Sequence, residues 1–239
     1  MSSGTAQPTI VLVHGAFAES ASWNGVIERL HTHGYPVIAA GNPLRSLSSD
    51  AAGVSAVLAT VKGPVVLVGH SYGGAVVSNA AVGHDHVKAL VYVAAFAPEA
   101  GESIGELSGR FPGGTLGQTL TEVPLADGSV DLYIRQDLFH QQFAADVPAG
   151  RAVLDAATQR PLNTVALNEG AGEPAWKTIP SWFVYPELDR NIPLAAHRFM
   201  AERAGSRESV ELPGASHAIP ASEPAAVAAV IIAAAKTIR

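Results

Sequence analysis

The sequence has no cysteine among its 239 residues. Disulfide bonds, thiolate zinc sites and a cysteine nucleophile are therefore excluded, and any nucleophilic side chain must carry oxygen or nitrogen. Charged residues are also few, at 15% of the chain, and the formal net charge is −6. This composition is typical of a globular chain with no cationic face, so nucleic acid is not an expected partner.

Long hydrophobic runs are missing as well. The longest, Ala225 to Ala235, is too short to span a bilayer and follows Ser222-Glu223-Pro224, a typical start of a helix. The stretch before Ile10 has neither the positive region nor the apolar run of a secretory signal. We therefore expect a cytoplasmic protein with no membrane span and with a helix near its C-terminus.

What the sequence does have is an alternation of strand-like and helix-like segments. The strand-like runs are rich in β-branched residues and apolar on both faces, and they cover residues 9–13, 37–40, 65–68, 87–94, 181–185 and 209–212. Helical patterns cover residues 20–30, 51–61, 72–82, 194–204 and 225–235. This alternation predicts an α/β fold, with a doubly wound, mostly parallel sheet covered by helices on both sides.

The alternation is interrupted between residues 98 and 177. This segment contains Gly113-Gly114, an Asp127-Gly128 turn between short β-like runs, and helical patterns near 136–145 and 150–159. A chain of this length commonly forms one α/β domain. We therefore predict a single core built from residues 1–97 and 178–239, with residues 98–177 inserted into it as a helical cap.

One serine occupies the break between a strand and a helix. Gly69-His70-Ser71-Tyr72-Gly73 fits the pattern G-x-S-x-G, in which a serine sits on a strained strand-to-helix turn. The apolar run 65–68 precedes the motif and a helical pattern follows it, which is the context that the motif requires. A helix N-terminus also favours negative charge that develops beside the hydroxyl. Glycines alone would mark only a tight loop, but this context favours Ser71 as a nucleophile.

A serine nucleophile requires a base and an acid further along the chain, in the order Ser, Asp or Glu, His. His217 lies in a loop after the last predicted strand, at the sheet edge where ligands bind in open α/β sheets. Asp189 follows the strand at 181–185 and is our prediction for the acid. Glu187 and Glu99 also follow strands and stay open as alternatives, and Asp189 could instead cap the next helix.

The combination of His14-Gly15, the G-x-S-x-G motif, Asp189 and His217 resembles the α/β-hydrolase superfamily. Within it, His14-Gly15-Ala16-Phe17 followed by Trp23 is similar to the small serine esterases and methylesterases, a branch related to the hydroxynitrile lyases. The likeness covers both predicted core segments. The antiparallel strands that often begin this fold are missing, because the first predicted strand already leads to His14-Gly15.

Acyl transfer also needs donors for an oxyanion. One donor is predicted to be the backbone N–H of Tyr72, directly after the nucleophile, and the other an N–H from the loop after the first strand. By the resemblance this second donor is Ala16, with Phe17 as the next candidate. Aromatic residues are predicted to line or roof the pocket, although each is individually more often a core residue: Phe17, Trp23, Phe96, Phe111, Phe139 and Trp176.

These parts predict a serine hydrolase that cleaves small to medium carboxylic esters through an acyl-enzyme, with no metal or cofactor. A cofactor-free haloperoxidase or perhydrolase would use the same triad and stays open, as does a non-catalytic receptor on this fold. Hydroxynitrile lyases of the resembled family carry a lysine directly after the catalytic histidine. This sequence has Ala218 there, which disfavours lyase activity.

Overall fold

Two sheets, ten α-helices and three short 3-10 turns account for the regular structure of residues 7–238, the part of the chain that the computed structural model describes. The strands are β1 (Thr9–Val13), β2 (Val37–Ala40), β3 (Val65–His70), β4 (Val87–Val93), β5 (Leu120–Pro124), β6 (Val130–Ile134), β7 (Leu162–Asn163), β8 (Ser181–Pro186) and β9 (Glu208–Leu212). The helices are α1 (Asn24–Thr32), α2 (Leu47–Thr60), α3 (Tyr72–Ala80), α4 (Ile104–Gly109), α5 (Gln136–Phe143), α6 (Ala149–Thr158), α7 (Thr164–Asn168), α8 (Leu194–Arg203), α9 (Ile219–Ser222) and α10 (Pro224–Lys236).

The larger sheet has six strands in the order β2-β1-β3-β4-β8-β9, and each neighbouring pair is parallel. The predicted α/β fold with a mostly parallel sheet is therefore confirmed. The chain adds strands in one direction from β1 to β2 and in the other from β3 onward. The carboxyl ends of β1 and β3 thus flank the point where the winding reverses, which is where open α/β sheets form a ligand crevice.

Both faces of this sheet are buried, because side chains alternate along each strand. In β1, Val11 and Val13 pack into the apolar cluster that contains α2 and α3. Ile10 and Leu12 point the other way, into the cluster that contains α1 and α10. Continuous apolar strands such as β1 are what a parallel sheet with helices on both faces requires.

The segment between β4 and β8 carries strands as well as helices. β5, β6 and β7 form an antiparallel sheet whose first two strands are joined through Asp127-Gly128. The short β-like runs predicted on either side of Asp127-Gly128 are therefore strands, and the description of this segment as a helical cap covers only its helices. β5 is mostly exposed, so its short alternating pattern gives a weaker strand signal than the buried core strands.

Two helices begin elsewhere than their patterns predict. α2 begins at Leu47 rather than at residue 51, because the Ser46 side chain accepts the backbone N–H of Ser49 and caps the helix. α1 begins at Asn24 because Ser20–Trp23 form a 3-10 turn. Within residues 7–238, every helix is too short or too polar to cross a bilayer.

Candidate active site

Ser71 lies at the tip of a sharp turn between β3 and α3. Its backbone has φ 54° and ψ −124°, in the left-handed half of conformational space that non-glycine residues seldom adopt. Such a conformation costs about 1–3 kcal/mol and persists only where its surroundings fix it. Here the Ser71 N–H donates to the carbonyl of Val93, and the Ser71 carbonyl accepts the N–H groups of Gly74 and Phe96.

Glycines around this turn allow three backbone segments to approach closely. A Cβ on Gly73 would lie 2.5 Å from the carbonyl oxygen of Val13, and one on Gly69 would lie 2.5 Å from that of Gly73. A Cβ on Gly15 would lie 2.6 Å from the Cβ of Ser71. The turn, β1 and the loop after β1 therefore fit together only if these positions lack side chains.

We expect Gly73→Ala to destabilise the protein by about 2 kcal/mol, because β1 and α3 must separate to admit the methyl group. Gly53→Ala is the matched control: it lies in α2 with no atom within 4 Å of the added Cβ. Alanine there should stabilise the helix by about 0.5–1 kcal/mol. Urea unfolding of both variants measures the difference, and equal midpoints would show that the close approach is not needed.

Three side chains from distant parts of the chain meet beside this turn. The Oγ of Ser71 lies 2.9 Å from Nε2 of His217, and Nδ1 of His217 lies 2.7 Å from Oδ2 of Asp189. His217 and Asp189 follow β9 and β8, so the parallel sheet brings both to the edge where β3 ends. All three residues are buried. The hydrogen bond to Asp189 places a proton on Nδ1 of His217 and leaves Nε2 free to accept the Ser71 proton.

Asp189 is held by four donors. Its Oδ1 accepts the backbone N–H groups of Asn191 and Ile192, at 2.8 and 3.0 Å. Its Oδ2 accepts Nε2 of His197 at 2.9 Å in addition to His217. Burial alone would raise the pKa of Asp189, but the charge of His217 and the hydrogen bonds from both histidines outweigh it and hold the pKa below its ordinary value. The carboxylate is therefore ionised and fixed in orientation.

The two alternative acids lie away from the imidazole. Glu187 is exposed and its Oε2 accepts the N–H of Gly214. Glu99 forms an ion pair with Lys177, which by hydrogen bonding lowers the pKa of Glu99. Neither carboxylate forms a hydrogen bond with His217 in the described part of the chain.

The loop after β1 lies against the nucleophile. Burial lowers the pKa of His14 to about 4, and this neutral ring donates from Nδ1 to the Gly15 carbonyl and accepts the Asn42 N–H at Nε2. The backbone N–H of Phe17 is occupied, because it donates to the carbonyl of Arg160 at 2.9 Å. Of the two predicted donors in this loop, this leaves Ala16 as the better candidate.

A small apolar cavity adjoins Ser71 and His217, and its volume open to water is about 40 Å³. Its aromatic lining residues are Phe17, Tyr72, Phe96 and Phe143. Phe17 and Phe143 also line a second cavity next to His70, and Phe139 lines only that second one. Phe17 and Phe143 therefore form part of the wall of both cavities, and their ring centroids lie 6.3 Å apart.

Three predicted lining aromatics lie outside both cavities. Trp23 is fully buried on the opposite face of the sheet, where it packs edge-on against His70. The indole of Trp176 donates to the Pro98 carbonyl, and Phe111 packs against Phe199. Contrary to the sequence prediction, these three residues do not line the cavity beside Ser71. None of the three residues lies in a strand, so the alternation of side chains along strands could not indicate where their rings would point.

Sequence reasoning missed three residues of the site. His197, Asn191 and Phe143 contact the triad acid or line the cavity. Asn191 could have been noted from its place two residues after Asp189, whereas the other two depend on helix orientation. No group of three metal-ligating side chains occurs in residues 7–238.

Comparisons with known proteins identify the family of the chain. A sequence model of the Alpha/beta hydrolase family matches residues 10–230. The alpha/beta hydrolase nvfD of Aspergillus novofumigatus (strain IBT 16806) is 27% identical over 223 residues, covering 82% of this chain and 84% of the relative.

Solved structures resemble nearly the whole chain. Polyneuridine aldehyde esterase is 16% identical with a TM-score of 0.83, covering 95% of this chain and 99% of its own. The pyrethroid hydrolase PytH is 25% identical with a TM-score of 0.77, covering 96% and 98%. The family match spans most of the sequence, and the chain therefore belongs to the alpha/beta hydrolase family.

Proposed function

We propose that the protein is a serine esterase that hydrolyses small carboxylic esters through an acyl-enzyme. The observation that carries this proposal is the chain of hydrogen bonds from Ser71 through His217 to Asp189, at 2.9 and 2.7 Å. A binding protein on the same fold needs none of these contacts. The names of the structural relatives, an esterase and a pyrethroid hydrolase, also support an ester substrate.

In this mechanism the hydroxyl of Ser71 attacks the ester carbonyl while Nε2 of His217 takes its proton. The ionised Asp189 holds the His217 ring and stabilises the imidazolium that forms. The backbone N–H groups of Ala16 and Tyr72 stabilise the oxyanion. His217 then protonates the leaving alcohol, and a water molecule activated by the same ring releases the acid.

We also propose that residues 98–177 act as a cap over this site. Leu116, Leu162 and Leu167 of this segment line the cavity beside Ser71. The segment is tied to the core by the bond between Arg160 and Phe17 and by Asp146, which accepts both the N–H and the hydroxyl of Ser216. The narrow cavity under it favours short acyl or alcohol groups.

A series of p-nitrophenyl esters of increasing acyl length tests the proposed activity. We expect the highest kcat/KM for the shortest acyl groups and a steep decline for chains that exceed the cavity. In parallel, a fluorophosphonate probe should label the protein once, and mass spectrometry should locate the label on Ser71. Absence of both turnover and labelling would instead indicate a receptor, and a label on another residue would refute the site.

A further inference from the structure

Asn191 has an amide nitrogen for which the protein supplies no acceptor. The residue is 5% exposed and lines the cavity beside Ser71 and His217, yet its Nδ2 is buried without a hydrogen-bond partner. In contrast, the hydroxyls that line the cavity all have partners. Ser108 donates to the Gly105 carbonyl, Tyr72 donates to Asp50, and Ser71 donates to His217. A buried donor without a partner costs about 1–3 kcal/mol, so an unpaired donor on a residue that lines a cavity points to a ligand. The Nδ2 atom has almost no surface open to water, so the side chain must shift slightly for a substrate oxygen to reach it.

The orientation of this amide follows from its neighbours. The Arg190 carbonyl can only accept, so the group of Gln142 that lies 2.9 Å from it must be the Nε2 donor. The same Nε2 lies 2.9 Å from Asn191, whose facing atom must therefore be the acceptor Oδ1. The Gln142 Oε1 accepts the Thr115 hydroxyl, which completes the arrangement. These hydrogen bonds, which start from the Arg190 carbonyl, use Oδ1 of Asn191 as an acceptor and leave its Nδ2 without a partner.

The position of Asn191 ties this donor to the reacting groups. Its backbone N–H donates to Oδ1 of Asp189 at 2.8 Å, so the residue belongs to the loop that holds the triad acid. A substrate oxygen bound by Nδ2 would fix the ester relative to His217, which lines the same cavity. Binding of this kind raises the rate by orientation and discriminates against substrates that lack the oxygen.

We propose that Asn191 donates a hydrogen bond to a second oxygen of the substrate, and that the preferred substrates are neutral esters carrying an ether or carbonyl oxygen besides the ester group. This inference rests on the proposed esterase function. A carboxylate is excluded as the second acceptor because no lysine or arginine lines the cavity among the described residues, and a buried anion without a counter-charge is unfavourable.

Two pairs of esters with matched shape test the proposal. p-Nitrophenyl methoxyacetate is compared with p-nitrophenyl butanoate for the acyl side, and 2-methoxyethyl acetate with butyl acetate for the alcohol side. In each pair an ether oxygen replaces a methylene group. The measured quantity is the ratio of kcat/KM within each pair, for the parent protein and for Asn191→Leu, which keeps the approximate size of the side chain but has no donor.

We expect the ratio of at least one pair to fall about tenfold in Asn191→Leu, the usual effect of one hydrogen bond in a buried site. Because a ratio is compared, differences in intrinsic ester reactivity and any general loss of activity cancel. Ser108→Ala, a change of another polar side chain in the same wall whose donor is already engaged, should leave both ratios unchanged.

Several results would overturn the proposal. If Asn191→Leu slows both members of each pair equally, Asn191 has only a structural role. Unchanged ratios would likewise refute it while the esterase function stands. If the parent protein cleaves none of the esters and a fluorophosphonate does not label Ser71, the proposed function fails, and this inference with it. Asn191→Ala provides the same comparison if the leucine variant does not fold, as judged by circular dichroism.

Discussion

Ser71→Ala is expected to lower kcat for p-nitrophenyl butanoate by at least about 10⁴-fold, because no other hydroxyl can take the place of the nucleophile. Nε2 of His217 accepts a hydrogen bond from the Ser71 hydroxyl at 2.9 Å. In the variant this nitrogen would lose its only side-chain partner among the described residues. The oxyanion donors are backbone groups and stay in place, so a small residual rate over uncatalysed hydrolysis should remain. Burst kinetics that report acyl-enzyme formation should disappear in the variant.

Ser55→Ala is the control for this experiment. The Ser55 hydroxyl contacts His84 in a different part of the molecule, so this variant should keep the parent rate. Thermal unfolding of both variants shows whether each protein is folded. Turnover by Ser71→Ala at more than about a tenth of the parent rate would contradict the acyl-enzyme mechanism.

Loss of stability in mild acid is the second large effect that we expect, because several histidines are buried in the neutral form. Burial lowers the pKa of His14 to about 4 and, together with the charge of His217, that of His70 to about 3. Burial also lowers the pKa of His197. In the unfolded chain each of these side chains binds a proton near its ordinary pKa of 6.5.

The unfolded state therefore takes up more protons than the folded state as the pH falls below about 6.5, and the free energy of unfolding decreases. For His14 and for His70 the decrease is about 1.4 kcal/mol per pH unit, or about 2 kcal/mol each between pH 7 and pH 5. It ends near pH 4 for His14 and near pH 3 for His70. Asp189, with its lowered pKa, adds a further loss once the pH falls below the ordinary value of 3.8.

Urea unfolding over this pH range measures the effect directly. In His14→Gln the decrease between pH 7 and pH 5 should be smaller than in the parent protein by about 2 kcal/mol. His31→Gln changes an exposed histidine and should leave the decrease as it is. An identical pH dependence in all three proteins would show that His14 is not buried in its neutral form.

The sequence allowed the core strands to be placed because they are apolar on both faces. β1 and β3 consist mainly of β-branched and aliphatic residues. β1 ends at Val13, directly before His14, and β3 ends at His70, and glycines at both places allow close approach. The sequence pattern placed the start of α2 at residue 51 rather than at Leu47, because the polar residues Ser46 and Asp50 interrupt the apolar pattern. Asp50 accepts the hydroxyl of Tyr72, a contact between distant segments that no local pattern reveals.

In the candidate site, too, local patterns could be predicted but contacts between distant segments could not. Ser71, Asp189 and His217 could be proposed because each follows a strand of a parallel sheet, and the ends of such strands lie together. The sequence did not indicate which residue besides His217 would donate to the carboxylate of Asp189. His197 reaches it from α8 only because that helix turns this face inward, where the ring stacks on Tyr185. Side-chain roles at the site remain predictions for the experiments above.

Two of the hydrogen-bonded ties between residues 98–177 and the core end next to opposite halves of the candidate site. Arg160 holds Phe17, the neighbour of Ala16, while Asp146 holds Ser216, the neighbour of His217. A movement of this segment that broke both bonds, to admit a bulky ester, would release both neighbours together. The protein would then admit substrate in one state and react in another, in which Phe17 and Ser216 are held in place. Variants selected for larger esters should therefore have a lower kcat for small esters.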